Sequence, residues 1–351
     1  MNQQPAKPTK LYKDRPGLEP LGEFINMYFL DELWRFFSVF FDPQKRLFII
    51  YLCSSLLLAI LWLLIVKKFN LKESFGEIFQ KKIWLSHSNK FDIFIFIINK
   101  GMFRVSYILF IEKIVFVSVI YNFASEIFPN AYLKLYFIDE WTVALIFTLV
   151  MFIIDDFSKF VIHLILHKVP MFWVFHKVHH SAETLNPLTV YRIHPVESVF
   201  YAIRSLLVQS VIISIFILLF GDKVDLITII GTNIILFIFN LTGSNLRHTH
   251  INIGYGKFLE KFLISPGQHQ IHHSIETAHI DRNFGAVLAI WDYLYGSLHY
   301  SETQKKHHYG LKYFDQISNS NIINLYLLPF QEFFYIIKKQ YNIIKKRVMP
   351  S

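Results

Sequence analysis

LFIIYLCSSLLLAILWLLIV, Leu47 to Val66, is an uninterrupted apolar run of 20 residues closed by Lys67 and Lys68. As a helix it rises about 30 Å, the hydrocarbon thickness of a bilayer. It therefore predicts a membrane span, and with it an all-α, polytopic integral membrane fold. The composition agrees: 53% hydrophobic residues, with 37 Phe, exceed the content of an ordinary soluble domain.

Working outward, Phe91 to Tyr121 is apolar but broken by Lys100, Gly101 and Arg104, which predicts a short interfacial piece and a span from about 105 to 121 that contains Glu112 and Lys113. Trp141 to His167 reads as a third span carrying His163 and His167 at its C-terminal end. Val199 to Phe220 and Val224 to Leu241 read as a helical hairpin joined by Gly221-Asp222-Lys223. Ile322 to Val348 reads as one or two amphipathic surface helices ending in Lys345-Lys346-Arg347. Met1 to about Pro20 is polar and without an apolar core, so it predicts a polar tail rather than a cleaved signal.

Charge orients these elements. The net charge of +9 sits mainly in loops beside apolar runs and near the C-terminus, as expected for a surface facing anionic headgroups. No recognised binding motif accompanies it, so nucleic acid is not an expected partner. Residues 67–90 carry six lysines, whereas residues 121–140 carry one lysine against Glu126, Asp139 and Glu140. The lysine-rich side is then cytoplasmic, and counting crossings from it brings every histidine group to the cytoplasmic face.

Of 16 histidines, 12 fall between His163 and His279. His163 and His167 are four apart and share a helix face. His176-Lys-Val-His179-His180 and His269-Gln-Ile-His272-His273 each place three imidazoles within one helical turn, predicted to converge on one face. At this histidine frequency such a pattern is expected roughly 0.03 times by chance, and it occurs twice. His194, His248, His250 and His279 lie between and after these groups. The single cysteine, Cys53, lies in the apolar run, which excludes disulfide frameworks, cysteine-ligated zinc and iron–sulfur clusters.

Imidazole serves Zn, Fe, Cu and Ni alike, so donor type does not name the metal. Nine or so histidines exceed a closed tetrahedral zinc site and suit two metals with four or five nitrogens each. Carboxylates behind the ligands are then expected to orient the rings: Asp156, two turns before His163, with Glu197, Asp281 and Asp292 near the other groups. Two other classes predict different placements. A histidine-rich metal transporter places its ligands near the bilayer midplane, and a haem protein needs only a few facing axial histidines. Neither matches local triads at span ends.

The ordered set His-x3-His, His-x2-His-His, Arg192-x-His194-Pro195-x-Glu197, Arg247-His248-Thr-His-Ile and a final His-x2-His-His resembles the sterol desaturase/fatty acid hydroxylase superfamily. So do the flanks Ser265-Pro-Gly-Gln-His-Gln-Ile-His-His-Ser274, Asp281-Arg-Asn-Phe-Gly285 and Trp291-Asp-Tyr-Leu-Tyr-Gly296. The likeness covers about residues 141–298.

It implies two non-haem iron ions held by His163, His167, His176, His179, His180, His248, His269, His272 and His273, with His194 as a tenth ligand or a group behind the ligands. Many relatives carry His-Ser-Asn where this chain has His248-Thr249-His250, and position favours His248 over His250. It further implies an O2-dependent lipid hydroxylase or desaturase, in a bacterial inner membrane. No dinucleotide fingerprint or cytochrome or flavin module is recognisable, so a separate ferredoxin- or cytochrome-type donor with its reductase is expected. The expected organisation is a tail and interfacial segment over residues 1–46, an N-terminal transmembrane region over 47–140, the di-iron domain over 141–300 and an amphipathic cytoplasmic segment over 301–351.

Overall fold

The computed structural model describes residues 34, 37–102, 106–129, 131, 135, 137–229, 232–311 and 321–348. The expected polar tail, Met1 to about Pro20, lies outside them. Within them the regular structure is helical, apart from a two-residue antiparallel ladder, Thr228–Ile229 against Thr232–Asn233, and two isolated bridges.

The run that opened the reading is the helix Ile49–Ile65. It ends where Lys68 takes a left-handed backbone, φ 61°, and the Phe69 amide reaches back to the Leu63 carbonyl at 3.0 Å. Asn70 and Glu73 then cap the next helix, Leu71–Ile78, reciprocally at 2.9 and 2.8 Å. One side of Ile49–Ile65 packs Ala59 and Leu63 against Leu246, Ile251 and Ile253. The stretches expected as an interfacial piece and a second span form the helices His87–Met102 and Ser106–Ile127.

Glu140–Lys168 is a single helix of 29 residues, begun by the Asp139 carboxylate accepting from the Thr142 amide at 3.0 Å. It stops at Val169, whose extended ψ of 112° is what a residue before proline adopts, and Pro170 opens the returning helix Pro170–His180. Pro195–Phe220 lies along Ser106–Ile127, with Lys113 donating to Gln209 at 2.7 Å and Ser214 to the Val117 carbonyl at 2.9 Å. Gln209 also donates to Asp155, which pairs with Arg204 and Lys159. Asp155, Lys159, Arg204, Gln209 and Lys113 thus form one connected polar group between these helices.

The expected hairpin is corrected in its second limb. After Gly221, φ 63°, Val224 to Ile227 has no regular structure, the ladder follows, and helix resumes only over Ile234–Leu241. The sequence Ile227-Thr-Ile-Ile-Gly-Thr232 is β-branched with one glycine, the composition that disfavours helix. Ile227 donates to Thr148 Oγ1, in the first third of Glu140–Lys168, so this limb enters the helical layer without crossing it as a second long helix.

Among the described residues, Pro195–Lys223 is the one helix long and apolar enough to cross a membrane, and Ile49–Ile65 is apolar but shorter. Exposed large apolar side chains recur every fourth residue along two long helices, Val199, Ile203, Leu207, Val211 and Ile215 on one and Leu145, Leu149 and Ile153 on another. The C-terminal segment is one helix, Ile322–Val348, with Pro329 inside it. It docks on Pro170–His180 through Phe330 and Phe333 against Phe175 and through Glu332 against the buried Lys177 at 2.6 Å.

Candidate metal centre

Four pieces of chain converge at one end of the long helices: the last turns of Glu140–Lys168, the helix Pro170–His180, the 3-10 turn Ser244–His248 and the short helix Pro266–His272. The last begins with a capping box, the Ser265 hydroxyl accepting from the Gln268 amide at 3.2 Å and the Gln268 side chain accepting from the Ser265 amide at 2.9 Å. The second piece is braced by Arg192, which donates to the Val178 carbonyl at 3.1 Å and to Ser181, and pairs with buried Asp92 at 3.1 Å. Burial pushes the Asp92 carboxyl upward against the pull of Arg192.

The nine histidines fall into two adjoining groups. His163, His167, His176, His180 and His272 each offer a nitrogen within 4.8 Å of the others, and so do His179, His248, His269 and His273. The triads do not converge on one face as expected; each is split. The outer pair of His176-x-x-His179-His180 serves the first group and its middle member the second, whereas in His269-x-x-His272-His273 the assignment is reversed. Helix geometry explains this. Residues i and i+4 differ by about 40° around the axis, while i+3 lies about 60° from i on the other side.

Main chain and one carboxylate hold the rings. His163 Nδ1–H donates to the Phe284 carbonyl, His272 Nδ1–H to the Arg282 carbonyl and His176 Nδ1–H to Glu197 Oε1, each at 2.8 Å. That assignment leaves the Nε2 lone pair of each facing inward. Nε2 atoms meet at 3.1 Å for His167 and His176, 3.3 Å for His179 and His248, and 3.0 Å for His248 and His269. Nitrogens bound to one ion at about 2.0–2.1 Å lie about this far apart in a tetrahedral shell.

Buried nitrogens without any partner include His179 Nδ1, His180 Nε2, His269 Nδ1, His272 Nε2 and both nitrogens of His273. Each orphan of this kind costs about 1–3 kcal/mol, so a metal-ion pair fits the cluster better than a folded void of imidazoles does. Burial pushes His176 and His179 down to about 3 and, with neighbouring imidazoles, drives His180, His248, His269, His272 and His273 well below the ordinary histidine range. The rings are neutral, the state that ligates a metal.

The remaining candidates are placed differently. Glu197, in the first turn of Pro195–Phe220, reaches His176. Asp281 Oδ1 stands 3.7 Å from His167 Nδ1 and pairs through Oδ2 with Lys168 at 2.6 Å. Asp156, expected to orient an imidazole, instead accepts from the Val287 and Leu288 amides and from Trp291 Nε1, each at 3.0 Å. Asp292 also holds main chain, accepting from the Phe284 and Gly285 amides at 2.8 and 2.7 Å. A carboxylate on a helix binds whichever donors the fold brings to it: for Asp156 these come from more than a hundred residues away, for Asp292 from the turn just before its own helix.

His194 is not in either group: its Nδ1 accepts from the Val196 amide at 3.2 Å and its Nε2 donates to the Tyr326 carbonyl at 3.1 Å. It caps one helix and docks another. His250 donates from Nε2 to the Glu77 carbonyl at 2.7 Å, while the neighbouring His248 lies in the second group. Sequence reasoning missed Asn283. Its left-handed backbone, φ 56°, with that of Asp281, φ 60°, flanks Arg282 in the turn whose carbonyls meet His272 and His163. Its amide bridges the Gln268 and His299 carbonyls at 2.9 Å. Asparagine tolerates this conformation, and the motif Asp281-Arg-Asn-Phe-Gly285 was the available signal.

Comparison with known proteins agrees with this geometry. The fatty acid hydroxylase family model matches residues 148–297, which contain all nine histidines. Alkylglycerol monooxygenase of Homo sapiens is 29% identical over 156 residues, 44% of this chain and 31% of that protein. Ornithine lipid hydroxylase OlsE of Rhizobium tropici is 28% identical over 162 residues, 46% of this chain and 44% of that protein. The matches thus span less than half the length of these relatives. No solved structure matches the chain. Residues 148–297 thus match the fatty acid hydroxylases, of the sterol desaturase/fatty acid hydroxylase superfamily.

Proposed function

We propose that this chain is a membrane-embedded, O2-dependent lipid hydroxylase whose two histidine groups hold a pair of iron ions. The carrying observation is the pairing of five and four buried imidazoles, several with unpartnered nitrogens, inside a fatty acid hydroxylase domain. Bound iron would supply the activation of O2 needed to oxidise an unactivated C–H bond; in balance, R–H, O2, two electrons and two protons give R–OH and water.

The chain's own residues fix the donors. The Phe284 and Arg282 carbonyls and Glu197 hold three Nδ1–H groups, which fixes the direction of three Nε2 atoms. With a cation bound on the far side of the His176 ring, Glu197 would be held ionised and would place negative charge behind an otherwise neutral donor set. Phe284 lies 5.1 Å from the His167 ring and 5.8 Å from the His272 ring, and Trp173 lies 5.1 Å from His167, so aromatic walls keep water from one side of the first group.

The exposed apolar rows on Pro195–Phe220 and Glu140–Lys168 support membrane embedding, because fourfold spacing of large apolar side chains makes a lipid-facing stripe. The lysines of residues 67–90 support a cytoplasmic position for the histidine end, in a bacterial inner membrane. A lipid substrate then enters sideways from the bilayer, and electrons come from a separate ferredoxin- or cytochrome-type donor with its reductase. The names of the relatives point to an alkylglycerol ether lipid or an ornithine lipid as first substrates to try.

The test is the full chain in nanodiscs, supplied with iron, a reducing system and each lipid under 18O2. Expected are two irons per chain and one labelled oxygen atom in the lipid, both lost in His272→Ala. A chain that retains zinc alone and incorporates no oxygen under these conditions would overturn the reading.

A further inference from the structure

A second cluster of metal-binding side chains lies just beyond the last histidine triad. The bridge between Ser274 and Tyr309, and the Ile275 amide donating to the His308 carbonyl at 3.0 Å, bind the strand leaving His273 to the segment around residue 308. Five side chains gather on this pair of segments. Glu276, His279 and His307 each offer a ligand atom within 4.8 Å of one another, and His279, His299 and Glu302 do the same, so His279 is common to both sets.

The geometry is looser than that of a completed hydrogen-bond network. His279 Nε2 stands 3.4 Å from Glu302 Oε1, His299 Nε2 stands 3.8 Å from the same oxygen, and His307 Nδ1 stands 3.4 Å from Glu276 Oε1. Charged imidazole–carboxylate bonds close to about 2.7–2.9 Å. Atoms sharing one ion at about 2.0–2.2 Å are held about 3.3 Å apart or more. His279 is buried, with its Nδ1 unpartnered, and its ring meets those of His299 and His307 edge-on at 5.0 and 5.2 Å.

Lys305 spans the two carboxylates, contacting Glu276 Oε2 and standing 3.4 Å from Glu302 Oε2, with half of its side chain exposed. A positive charge is therefore already required between Glu276 and Glu302. A solvent-exposed lysine can leave it to a better cation.

We propose that a borderline divalent cation, zinc above all, binds at His279, drawing on Glu276 and His307 from one set and His299 and Glu302 from the other, at a site distinct from the nine-histidine centre. Imidazole with carboxylate selects such an ion over magnesium or calcium, which prefer all-oxygen shells. Its role is a clamp. The ion fastens residues 299–307 to the segment that follows His272 and His273, and so steadies the last histidine triad from outside.

The experiment uses the full-length chain in nanodiscs with the nine-histidine centre loaded with iron, equilibrated against buffered Zn2+, and reads zinc and iron per chain by mass spectrometry. Wild type is expected to take one more zinc than His279→Ala at equal iron. His299→Ala, at a partly exposed position, is expected to bind that zinc at least about tenfold more weakly, since even removal of a group behind a ligand costs about 10–100-fold. Lys305→Met is expected to bind it more tightly, because the competing ammonium is gone. If His279→Ala does not fold, the other two variants decide. Zinc binding that is the same in wild type, His299→Ala and Lys305→Met would overturn the proposal and leave the cluster as ion pairs around Lys305.

Discussion

Glu197→Gln tests the metal centre with the least disturbance to the fold. Glu197 Oε1 accepts from His176 Nδ1–H at 2.8 Å, both side chains are 3% exposed, and Oε2 has no partner. A metal ion on His176 Nε2 would hold Glu197 ionised, whereas glutamine, of the same volume, can turn its carbonyl to the same proton and keep the hydrogen bond only as a neutral one. A bond to a charged acceptor contributes about 1.5–3 kcal/mol and a neutral one about 0.5–1.5 kcal/mol. The difference, about 1–1.5 kcal/mol, is close to tenfold in an equilibrium constant. Loss of the negative charge behind His176 lowers the donor strength of its Nε2 as well, so iron affinity is expected to fall about 10–100-fold. Competition with a chromophoric chelator measures this on the purified chain without recourse to turnover. Glu197→Ala should do worse, because it leaves the His176 proton buried and unpaired. If Glu197→Gln holds iron as wild type does, within a factor of about two, the carboxylate is a packing element and the reasoning fails.

Three further outcomes follow from placements that contrast with it. Asp156→Ala removes the acceptor of three donors, Val287 N, Leu288 N and Trp291 Nε1, and should cost about 3–5 kcal/mol; faster hydrogen exchange at the Val287 and Leu288 amides would register it. His250→Ala breaks one bond to the Glu77 carbonyl and should leave iron content unchanged at a cost of about 0.5–1.5 kcal/mol, whereas His248→Ala should lose iron; equal losses would refute the assignment. Asp292 is pushed up to about 6 by burial, from an ordinary 3.8. The folded chain therefore holds a proton that the unfolded chain releases between about pH 4 and pH 6, and stability falls by roughly 3 kcal/mol as pH rises through that window. Comparing urea midpoints at pH 4.5 and pH 7 for wild type and Asp292→Asn should show this pH-dependent loss only in wild type.

What sequence reveals here is whatever repeats at helical spacing or runs unbroken for the length of a helix. Leu47 to Val66 and Trp141 to His167 announce their helices by length, and the histidine triads announce a site by improbability. Val224 to Leu241 misleads because hydropathy alone does not distinguish an apolar β-branched stretch from a helix, and the ladder at Thr228 to Asn233 depends on that distinction. The partners of the rings were legible only where a side chain supplied them, as Glu197 does. His163 and His272 are held by the carbonyls of Phe284 and Arg282, and a carbonyl is present at every residue whatever its side chain. Asp156 and Asp292 read as carboxylates that orient the rings, but both hold main-chain amides instead, brought to Asp156 by long-range packing and to Asp292 by a neighbouring turn.

The division of each triad between the two groups explains why adjacent histidines recur. His179 and His180 are consecutive on one helix, yet His179 turns to His248, His269 and His273 while His180 turns to His163, His167, His176 and His272. His272 and His273 repeat the division from the opposite piece of chain, and the four rings interleave, with His180 to His272 at 4.8 Å, His179 to His273 at 4.6 Å and His180 to His273 at 4.5 Å. Two short helices, Pro170–His180 and Pro266–His272, therefore set the separation of the two groups, because consecutive residues on a helix are rigidly spaced. A single long helix could align one group but could not fix the distance to a second. This is the physical reason to read the doublets, rather than the isolated His163 and His167, as the mark of a two-centre site.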